Sequence, residues 1–148
     1  MTARTRVQRR RDTEHRLSTD VDVWVATASA DGAAYLVPLS FDFDGGALLL
    51  ATSAESITGR NLAAAGSVRL GLGLTRDVSM IDGLVEVLDL NALPSDAGDR
   101  FARRTGFDPR TLAERYCWFR ITPRRIQAWR EVEELAERDL MRDGRWLV

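Results

Sequence analysis

The sequence predicts a mainly β protein, an antiparallel barrel of six or seven strands with α insertions. Three observations lead to this fold class. Residues 34–43, AYLVPLSFDF, alternate between two faces with a period of two, which is the repeat of a β-strand. Turn signals such as Asp31-Gly32 and Asp44-Gly45-Gly46 recur at short intervals between apolar segments. Only two or three short stretches have helical character, which is typical of a barrel with helical inserts.

The first ninety residues contain five predicted strands and one predicted helix. The strands are Val21–Ser29, Ala34–Phe43, Ala47–Ala51, Ser67–Thr75 and Val78–Leu90. Asp31-Gly32 is a hairpin signal and pairs the first two strands. Pro38 removes a backbone donor from the second strand, so it lies at an edge, at a bulge or where a ligand approaches. Asp82-Gly83 predicts a bulge or bend in the fifth strand.

The second half contains two predicted helices, two strands and a helical tail. A helix begins at Leu93-Pro94-Ser95 and runs to about Gly106, and Asp108-Pro109 opens a second short helix that ends at Arg115. Strands are predicted at Tyr116–Thr122 and Arg125–Val132, with Pro123 breaking the chain between them. Residues 133–148 have helical composition followed by an Asp143-Gly144 turn.

One domain accounts for the 148 residues. We expect residues 1–20 to form a solvated arginine-rich arm and a short helix, residues 21–132 to form the barrel, and residues 133–148 to form a tail that packs on it. No apolar run approaches the roughly 20 residues of a membrane helix, and the first residues lack the apolar core of a secretory signal. The sequence therefore predicts a cytoplasmic protein.

Composition excludes several classes of function. The net charge of -1 argues against a nucleic-acid partner. All 21 basic side chains are arginine, so no lysine is present for Schiff-base chemistry. The only histidine, His15, lies in the arginine-rich arm, so neither a Ser-His-Asp triad nor a histidine metal site is expected. Cys117 is predicted to be a buried, inert thiol. No catalytic residue can be named, and an enzyme of this composition would depend on a redox cofactor.

The stretch from Ala47 to Leu62 is the strongest candidate for a ligand site. A strand ends in Thr52-Ser53, and Ser56 is a plausible N-cap for a helix that runs through Leu62. Backbone amides and hydroxyl groups at such a helix start can bind an anion.

Three sequence motifs in this region resemble those of the pyridoxamine 5'-phosphate oxidase-like proteins. They are V-P-L-x-F-x-x-D-G from Val37, L-L-x-A-T-S ending at Ser53, and R-N-L from Arg60. The resemblance implies an FMN-binding type of split β-barrel that is homodimeric and binds FMN or the deazaflavin F420. In that family the strand end and the helix start hold the phosphate and ring edge of the cofactor. The matching positions are Val37, Pro38, Leu39, Thr52, Ser53, Ser56, Thr58, Arg60 and Asn61.

The resemblance also implies a second part of the cofactor site. Residues 123–129, PRRIQAW, resemble the family's P-x-R-I-x-x-W motif, in which the tryptophan, here Trp129, lies against the flavin. Arg76 and Asp77 match a strand that the partner subunit contributes to the same cofactor. Trp129 could equally be barrel core, and Arg76 and Asp77 could be an exposed hairpin corner.

Two departures from the family pattern affect the expected function. Ile57 and Thr58 stand where the oxidases often carry cations for the FMN phosphate, and Arg60 could supply the lost charge. This favours F420 slightly over FMN. Residues 138–142, RDLMR, lack the histidine of the oxidases' substrate-binding motif, so oxidation of pyridoxamine phosphate is not expected.

The resulting hypothesis is an FMN- or F420-dependent oxidoreductase that transfers a hydride to or from a small organic substrate. The alternative is a barrel of the same fold that binds or carries flavin, haem or another planar ligand without turnover. A third alternative is an empty barrel, which requires that Leu36, Pro38 and Trp129 pack inward with no cleft.

Overall fold

A computed structural model describes residues 2–148 and contains eight strands in one antiparallel sheet. The strands are β1 (Asp22–Ala28), β2 (Ala34–Phe43), β3 (Leu48–Ser53), β4 (Ser67–Leu74), β5 (Asp77–Asp89), β6 (Tyr116–Trp129), β7 (Asp139–Arg142) and β8 (Arg145–Trp146). Their order is β3-β2-β1-β4-β5-β6-β7-β8, and an additional pairing of β3 with β6 closes the first six into a barrel. The predicted fold class, a mainly β split barrel with α insertions, is confirmed.

The barrel interior is filled by alternate residues of the six strands. Burial alternates along β1 and β4, so that Val23, Val25, Leu70 and Leu72 are almost fully buried. In β2 the same alternation sends Val37, Leu39, Phe41 and Phe43 toward the core cluster and leaves the residues between them on the outer face. The strand period that is visible in the sequence therefore determines which side chains remain outside the barrel.

Three helices cover the barrel: α1 (Arg6–Thr19), α2 (Ile57–Ala65) and α3 (Ser95–Thr105). Leu17 of α1 and Leu62 of α2 both join the interior cluster. Arg16 contacts Asp77 at one end of the β4–β5 hairpin, and Gly66, the C-cap of α2, accepts a backbone bond from Val85 at the other end. The two helices thus close opposite ends of the barrel. Phe101 of α3 packs on the outside, 5.0 Å from the Trp118 ring.

Three details differ from the sequence-based expectations, and a fourth agrees with them. Pro123 does not end the strand. β6 runs on through it, and the register between β5 and β6 shifts at Asp82 and Gly83, where Gly83 pairs with Pro123 and a proline can be accommodated. The short helix after Asp108 is a single 3-10 turn, Pro109–Thr111. The tail is not helical: after a 3-10 turn at Val132–Glu134 it forms the β7–β8 hairpin, whose Leu140 and Met141 are buried. The bulge at Asp82-Gly83 is confirmed.

The N-terminal segment is also less solvated than its composition predicts. Arg9, Thr13 and Leu17 lie one helical turn apart on α1 and are all buried. Thr13 shares a 2.7 Å hydrogen bond with Ser79, and Arg9 donates to the carbonyl of Ala128 at 2.9 Å. Many of the arginines therefore bind backbone carbonyls or carboxylates of the barrel. Among residues 2–148, none of the helices has the length and apolar character needed to cross a membrane.

Candidate functional site

The barrel is split where β2 and β3 separate. The two strands pair only from Phe41–Phe43 to Leu48–Leu50, and beyond these pairs they diverge. A cleft of about 350 Å³ opens between them, with Pro38, Leu39 and Ser40 on one side and Ala51 and Thr52 on the other. Its remaining lining comes from Asp22, Phe101, Phe107 and Tyr116. The volume lies in the usual range for a small-molecule site, and the aromatic side chains suit a planar ligand.

The start of α2 continues from the β3 side of this cleft. Ser56 is the N-cap, as predicted, and its hydroxyl accepts from the Gly59 amide at 2.9 Å while donating to the Ser53 carbonyl at 2.8 Å. The hydroxyl proton of Ser56 therefore already has an acceptor and is not available to a ligand. The amides of Ile57 and Thr58, at the first two positions of α2, have no hydrogen-bond acceptor within residues 2–148 and are the groups that an anion would meet.

Gly59 sets how closely α2 approaches the end of β3. A Cβ placed on Gly59 would lie 2.2 Å from the Ser53 carbonyl oxygen and 3.1 Å from the Ser56 hydroxyl. Only a glycine permits this contact without moving backbone atoms. Gly59 has no recognisable signal in the sequence, because its importance depends on the packing of a helix against a strand end.

The polar positions predicted at this site have different environments. Ser53 is half-buried, and its hydroxyl accepts from the Glu55 amide at 3.3 Å, which leaves the hydroxyl proton free to donate. Thr52 and Thr58 are buried, and Arg60 is exposed and forms no ion pair with any described residue. Asn61 is buried and donates to Thr27 at 3.1 Å, which fixes α2 on β1. Of this group, Ser53 and Arg60 are the most available to a ligand.

The three predicted β2 positions lie on two faces. Val37 and Leu39 pack partly against the barrel core, whereas Pro38 is exposed and lines the cleft. Leu39 also reaches the cleft wall. Leu36 is 60% exposed, so the inward packing that an empty barrel requires is not found on β2.

The second predicted group of cofactor-binding residues, Arg76, Asp77 and Trp129, lies at the end of β6 that is far from the cleft. Thr52 pairs with Cys117 near the start of β6, and Trp129 is twelve residues further on, roughly 40 Å along an extended strand. Trp129 pairs with Val78, directly after Arg76 and Asp77, and the Arg138 guanidinium lies 5.5 Å from its ring centre. One protomer therefore brings Arg76, Asp77 and Trp129 together but does not bring them to the cleft.

Asp77 has a structural environment of its own. Its carboxylate lies 2.8 Å from Arg16, 3.0 Å from Arg130 and 3.2 Å from Arg4. Arg4 in turn binds Glu134, which is 3% exposed, and this hydrogen-bonded contact lowers the pKa of the Glu134 carboxyl to about 2. Asp77 thus joins α1 to the β4–β5 turn. Arg76, next to it, is exposed and has no ion pair within residues 2–148.

Six residues of the cleft lining were not predicted, namely Asp22, Ser40, Ala51, Phe101, Phe107 and Tyr116. Ser40 donates to Asp22 at 2.8 Å, and it lies on the same strand face as Pro38, so strand alternation could have identified it. Phe101 and Phe107 come from α3 and the loop after it, and Tyr116 comes from the start of β6. These three are distant from β2 in sequence, and only the docking of α3 on the barrel brings them there.

Residues for acid–base or metal chemistry are scarce. His15 is exposed on α1, at the end of the barrel opposite α2. Within residues 2–148 no group of three or more His, Cys, Asp or Glu side chains could hold a metal ion. Cys117 is buried and free, as predicted. The site therefore consists of a cleft with aromatic walls and a helix start with free amides.

These features define a split barrel with a cleft suited to a planar, anionic ligand. The sequence profile of the pyridoxamine 5'-phosphate oxidase family matches residues 16–130. The chain belongs to this family, whose members include flavin- and F420-binding proteins. No curated protein matches the chain by sequence.

Solved structures share the fold at low sequence identity. An F420 reductase has a TM-score of 0.61 and 19% identity, covering 76% of this chain and 94% of its own. An FMN-binding, pyridoxamine 5'-phosphate oxidase-related protein from Nostoc punctiforme has a TM-score of 0.53 and 13% identity, with coverages of 83% and 79%. The haem storage protein HutZ from Vibrio cholerae has a TM-score of 0.59 and 14% identity, with coverages of 76% and 88%.

Proposed function

We propose that the protein is a homodimeric oxidoreductase that binds F420 or FMN in the cleft between β2 and β3. The observation that carries this proposal is the juxtaposition of an aromatic-walled cleft with the free amides at the start of α2. A bound flavin or deazaflavin would supply hydride transfer. The chain's own residues would bind the ring, orient it and exclude water from one face.

The cleft is better suited to a flavin or deazaflavin ring than the start of α2 is to a phosphate group. Phe107 and Tyr116 are half-buried and offer apolar surface, whereas Phe101 is 1% exposed and belongs to the packed part of the wall; Ser40 and Thr52 offer polar groups. For the anionic end, the chain offers the Ile57 and Thr58 amides and the Ser53 hydroxyl, with Arg60 exposed on the same helix. A buried cation beside these amides is lacking among residues 2–148, which supports F420 over FMN.

The second half of the site would come from the partner subunit. Pro38, Trp24, Gly71, Met80 and Gln127 are successive neighbours across the strands and lie on the barrel's outer face. Pro38 and Gln127 are four strand spacings apart, which is roughly 19 Å. Trp129 is the next residue of β6 on the outer face after Gln127. In a two-fold dimer through this face, Trp129 of one protomer can approach Pro38 of the other. The 51% exposure of Trp24 supports such an interface.

Replacing Trp24 tests the dimer. Trp24→Arg should raise the dimer dissociation constant at least tenfold, because it places a charge in an apolar interface, and sedimentation velocity measures the change. Cofactor affinity should fall with the dimer if the site is shared. Val7→Arg is the control, since Val7 is 49% exposed on α1. A dimer that Trp24→Arg leaves intact would refute this interface.

Replacing Ser56 tests the anion-binding end. Ser56→Asp keeps an acceptor for the Gly59 amide but loses the hydroxyl that donates to the Ser53 carbonyl, so the free energy of unfolding should fall by about 1 kcal/mol. The added negative charge should in addition weaken binding of FMN or F420 about tenfold. Ser56→Asn is the neutral control and should retain affinity. Equal affinity of the Asp and Asn variants, measured by fluorescence titration, would place the anionic group elsewhere.

A carrier protein is the second candidate function. Tyr116 lines the cleft, and a tyrosine is one of the side chains that can ligate haem iron, so a haem carrier has a specific residue in its favour. Asp22 and Tyr116 are the titratable side chains that line the cleft among the described residues, and so few acid or base groups also suit a carrier. A turnover assay with reduced cofactor and a panel of quinones and enones separates the two. An enzyme accelerates hydride transfer over free cofactor, whereas a carrier does not.

The cytoplasmic location remains part of this proposal. It is supported by the single cysteine, Cys117, which is free and buried.

A further inference from the structure

One side chain, Arg104, connects two sides of the β2–β3 cleft. The α3 side consists of Phe101 and Phe107. The β1–β2 side consists of Asp22, Pro38, Leu39 and Ser40. Arg104 lies in the last turn of α3, between Phe101 and Phe107 in sequence, and its side chain is 15% exposed. Its contacts are therefore made inside the protein, although it does not line the cleft itself.

The Arg104 guanidinium holds the segment that joins α1 to β1. Its Nη2 atom donates to the backbone carbonyls of Leu17 at 2.6 Å and of Asp20 at 2.5 Å, and its Nε atom donates to the Asp20 carbonyl at 3.2 Å. Asp20 is the C-cap of α1, where a cation also interacts favourably with the helix dipole. Two residues further on, Asp22 accepts from the Ser40 hydroxyl at 2.8 Å. Arg104 therefore fixes the backbone just before the residue that positions Ser40 in the cleft.

Asp42 of β2 binds the same guanidinium. Its side chain is 3% exposed, and the carboxylate accepts from Arg104 at 3.3 Å and from Arg100, one turn earlier on α3, at 2.7 Å. The Arg104 guanidinium also lies 4.8 Å from the centre of the Phe41 ring, in a cation–π contact. A buried carboxylate is costly to leave unpaired, so these two arginines hold α3 in one position on β2.

The aromatic part of the cleft depends on where the end of α3 lies. Phe107 directly follows Gly106, the C-cap of α3, and its ring centre is 5.7 Å from that of Tyr116. The hydroxyl of Thr105, next to Arg104, accepts from the Phe107 amide at 3.2 Å and donates to the Phe107 carbonyl at 3.1 Å. A movement of the last turn of α3 would therefore be carried to both half-buried rings.

We propose that Arg104 is a positioning residue that sets the separation between the α3 side and the β1–β2 side of the cleft. It acts through Phe107 and Tyr116 on one side and through the Asp22–Ser40 pair on the other, so that a planar ring is held in one orientation. The inference rests on the proposed function in so far as this ring belongs to F420 or FMN. The positioning of the two sides does not depend on that function.

The first part of the test measures positioning in the cofactor-free protein by amide hydrogen exchange, followed by NMR. Arg104→Met keeps an unbranched side chain over the Phe41 ring but removes the guanidinium. Exchange should rise about tenfold at the Gly106 and Asp20 amides, which bond to helix carbonyls at the ends of α3 and α1, and by a smaller factor in β5 and β6. Arg103→Met, at the exposed neighbouring position of α3, is the matched control and should exchange as the wild type does.

The second part measures how the ring is held. Arg104→Met should weaken binding of F420 and of FMN about tenfold, and the fluorescence anisotropy of F420 at saturation should fall because the bound ring is more mobile. A loss of stability alone would not lower the anisotropy of the saturated protein. Arg104→Lys keeps the charge beside Asp42 but has one nitrogen in place of three, so it preserves the fold and should give an intermediate loss in both parts.

Three results would overturn the proposal. They are unchanged exchange at Gly106 or Asp20 in Arg104→Met, raised exchange with wild-type affinity and anisotropy, and an equal loss of affinity in Arg103→Met, which would assign the effect to the charge of α3. Failure of the proposed function looks different, because the wild-type protein then binds neither F420 nor FMN. The exchange measurement alone then decides whether Arg104 positions the two sides.

Discussion

Gly59→Ala is expected to abolish tight cofactor binding and to lower the free energy of unfolding by about 1–3 kcal/mol. The new methyl group would lie 2.2 Å from the Ser53 carbonyl oxygen, a backbone atom that cannot rotate away. The start of α2 must therefore move off the end of β3. This displacement carries the Ile57 and Thr58 amides away from the cleft, although neither is itself changed.

Gly46→Ala is the matched control for this substitution. Gly46 lies in the β2–β3 turn, and its added methyl group would be 3.7 Å from the nearest side-chain atom, an ordinary contact. Stability is measured by urea unfolding and affinity by fluorescence titration of FMN and F420. If Gly59→Ala binds cofactor as tightly as Gly46→Ala does, the start of α2 does not belong to the site.

Glu134→Gln is expected to lower the free energy of unfolding by about 3 kcal/mol at pH 7. The Glu134 carboxylate is 3% exposed and accepts from the Arg4 side chain at 2.8 and 3.1 Å and from the backbone amides of Arg4 and Arg130 at 2.7 and 2.8 Å. A neutral amide leaves the Arg4 guanidinium with less compensating charge. Glu133→Gln, at an exposed position in the same 3-10 turn, should have little effect.

The same contact predicts a pH dependence. The pKa of the Glu134 carboxyl falls from 4.5 to about 2 on folding, so its contribution to stability is complete above pH 4.5 and is lost as the pH falls toward 2. A shift of this size corresponds to about 3 kcal/mol. The stability difference between wild type and Glu134→Gln should shrink over this range when followed by urea unfolding. If the stability difference between the two proteins is constant from pH 7 to pH 2.5, the ionisation of Glu134 does not contribute to stability.

Local sequence signals predicted most of the barrel. The bounds of β2, Ala34–Phe43, match the alternating segment, and the Ser56 cap and the Asp143-Gly144 turn were recognised from residue types with strong backbone preferences. These features depend on neighbours within a few residues. Strand alternation also separates Pro38 on the outside from Val37 and Leu39 on the inside.

Features that depend on tertiary contacts were missed. Residues 133–148 have helical composition, yet burying Leu140 and Met141 against the barrel favours a hairpin over the local preference. β6 continues through Pro123, because at the register shift opposite Gly83 the strand does not require a hydrogen bond from a backbone amide, which proline lacks. Phe101 and Phe107 reach the cleft through the docking of α3, which no periodicity in the sequence reveals.

Spectroscopic titration of the purified protein with F420 and, separately, with FMN tests the central claim most directly. The cleft and the start of α2 predict saturable binding of one cofactor per protomer, tighter for F420 than for FMN, and strongly weakened by Ser56→Asp but not by Ser56→Asn. If neither cofactor binds to the wild-type protein, the β2–β3 cleft is not a flavin site and the proposed redox function is wrong.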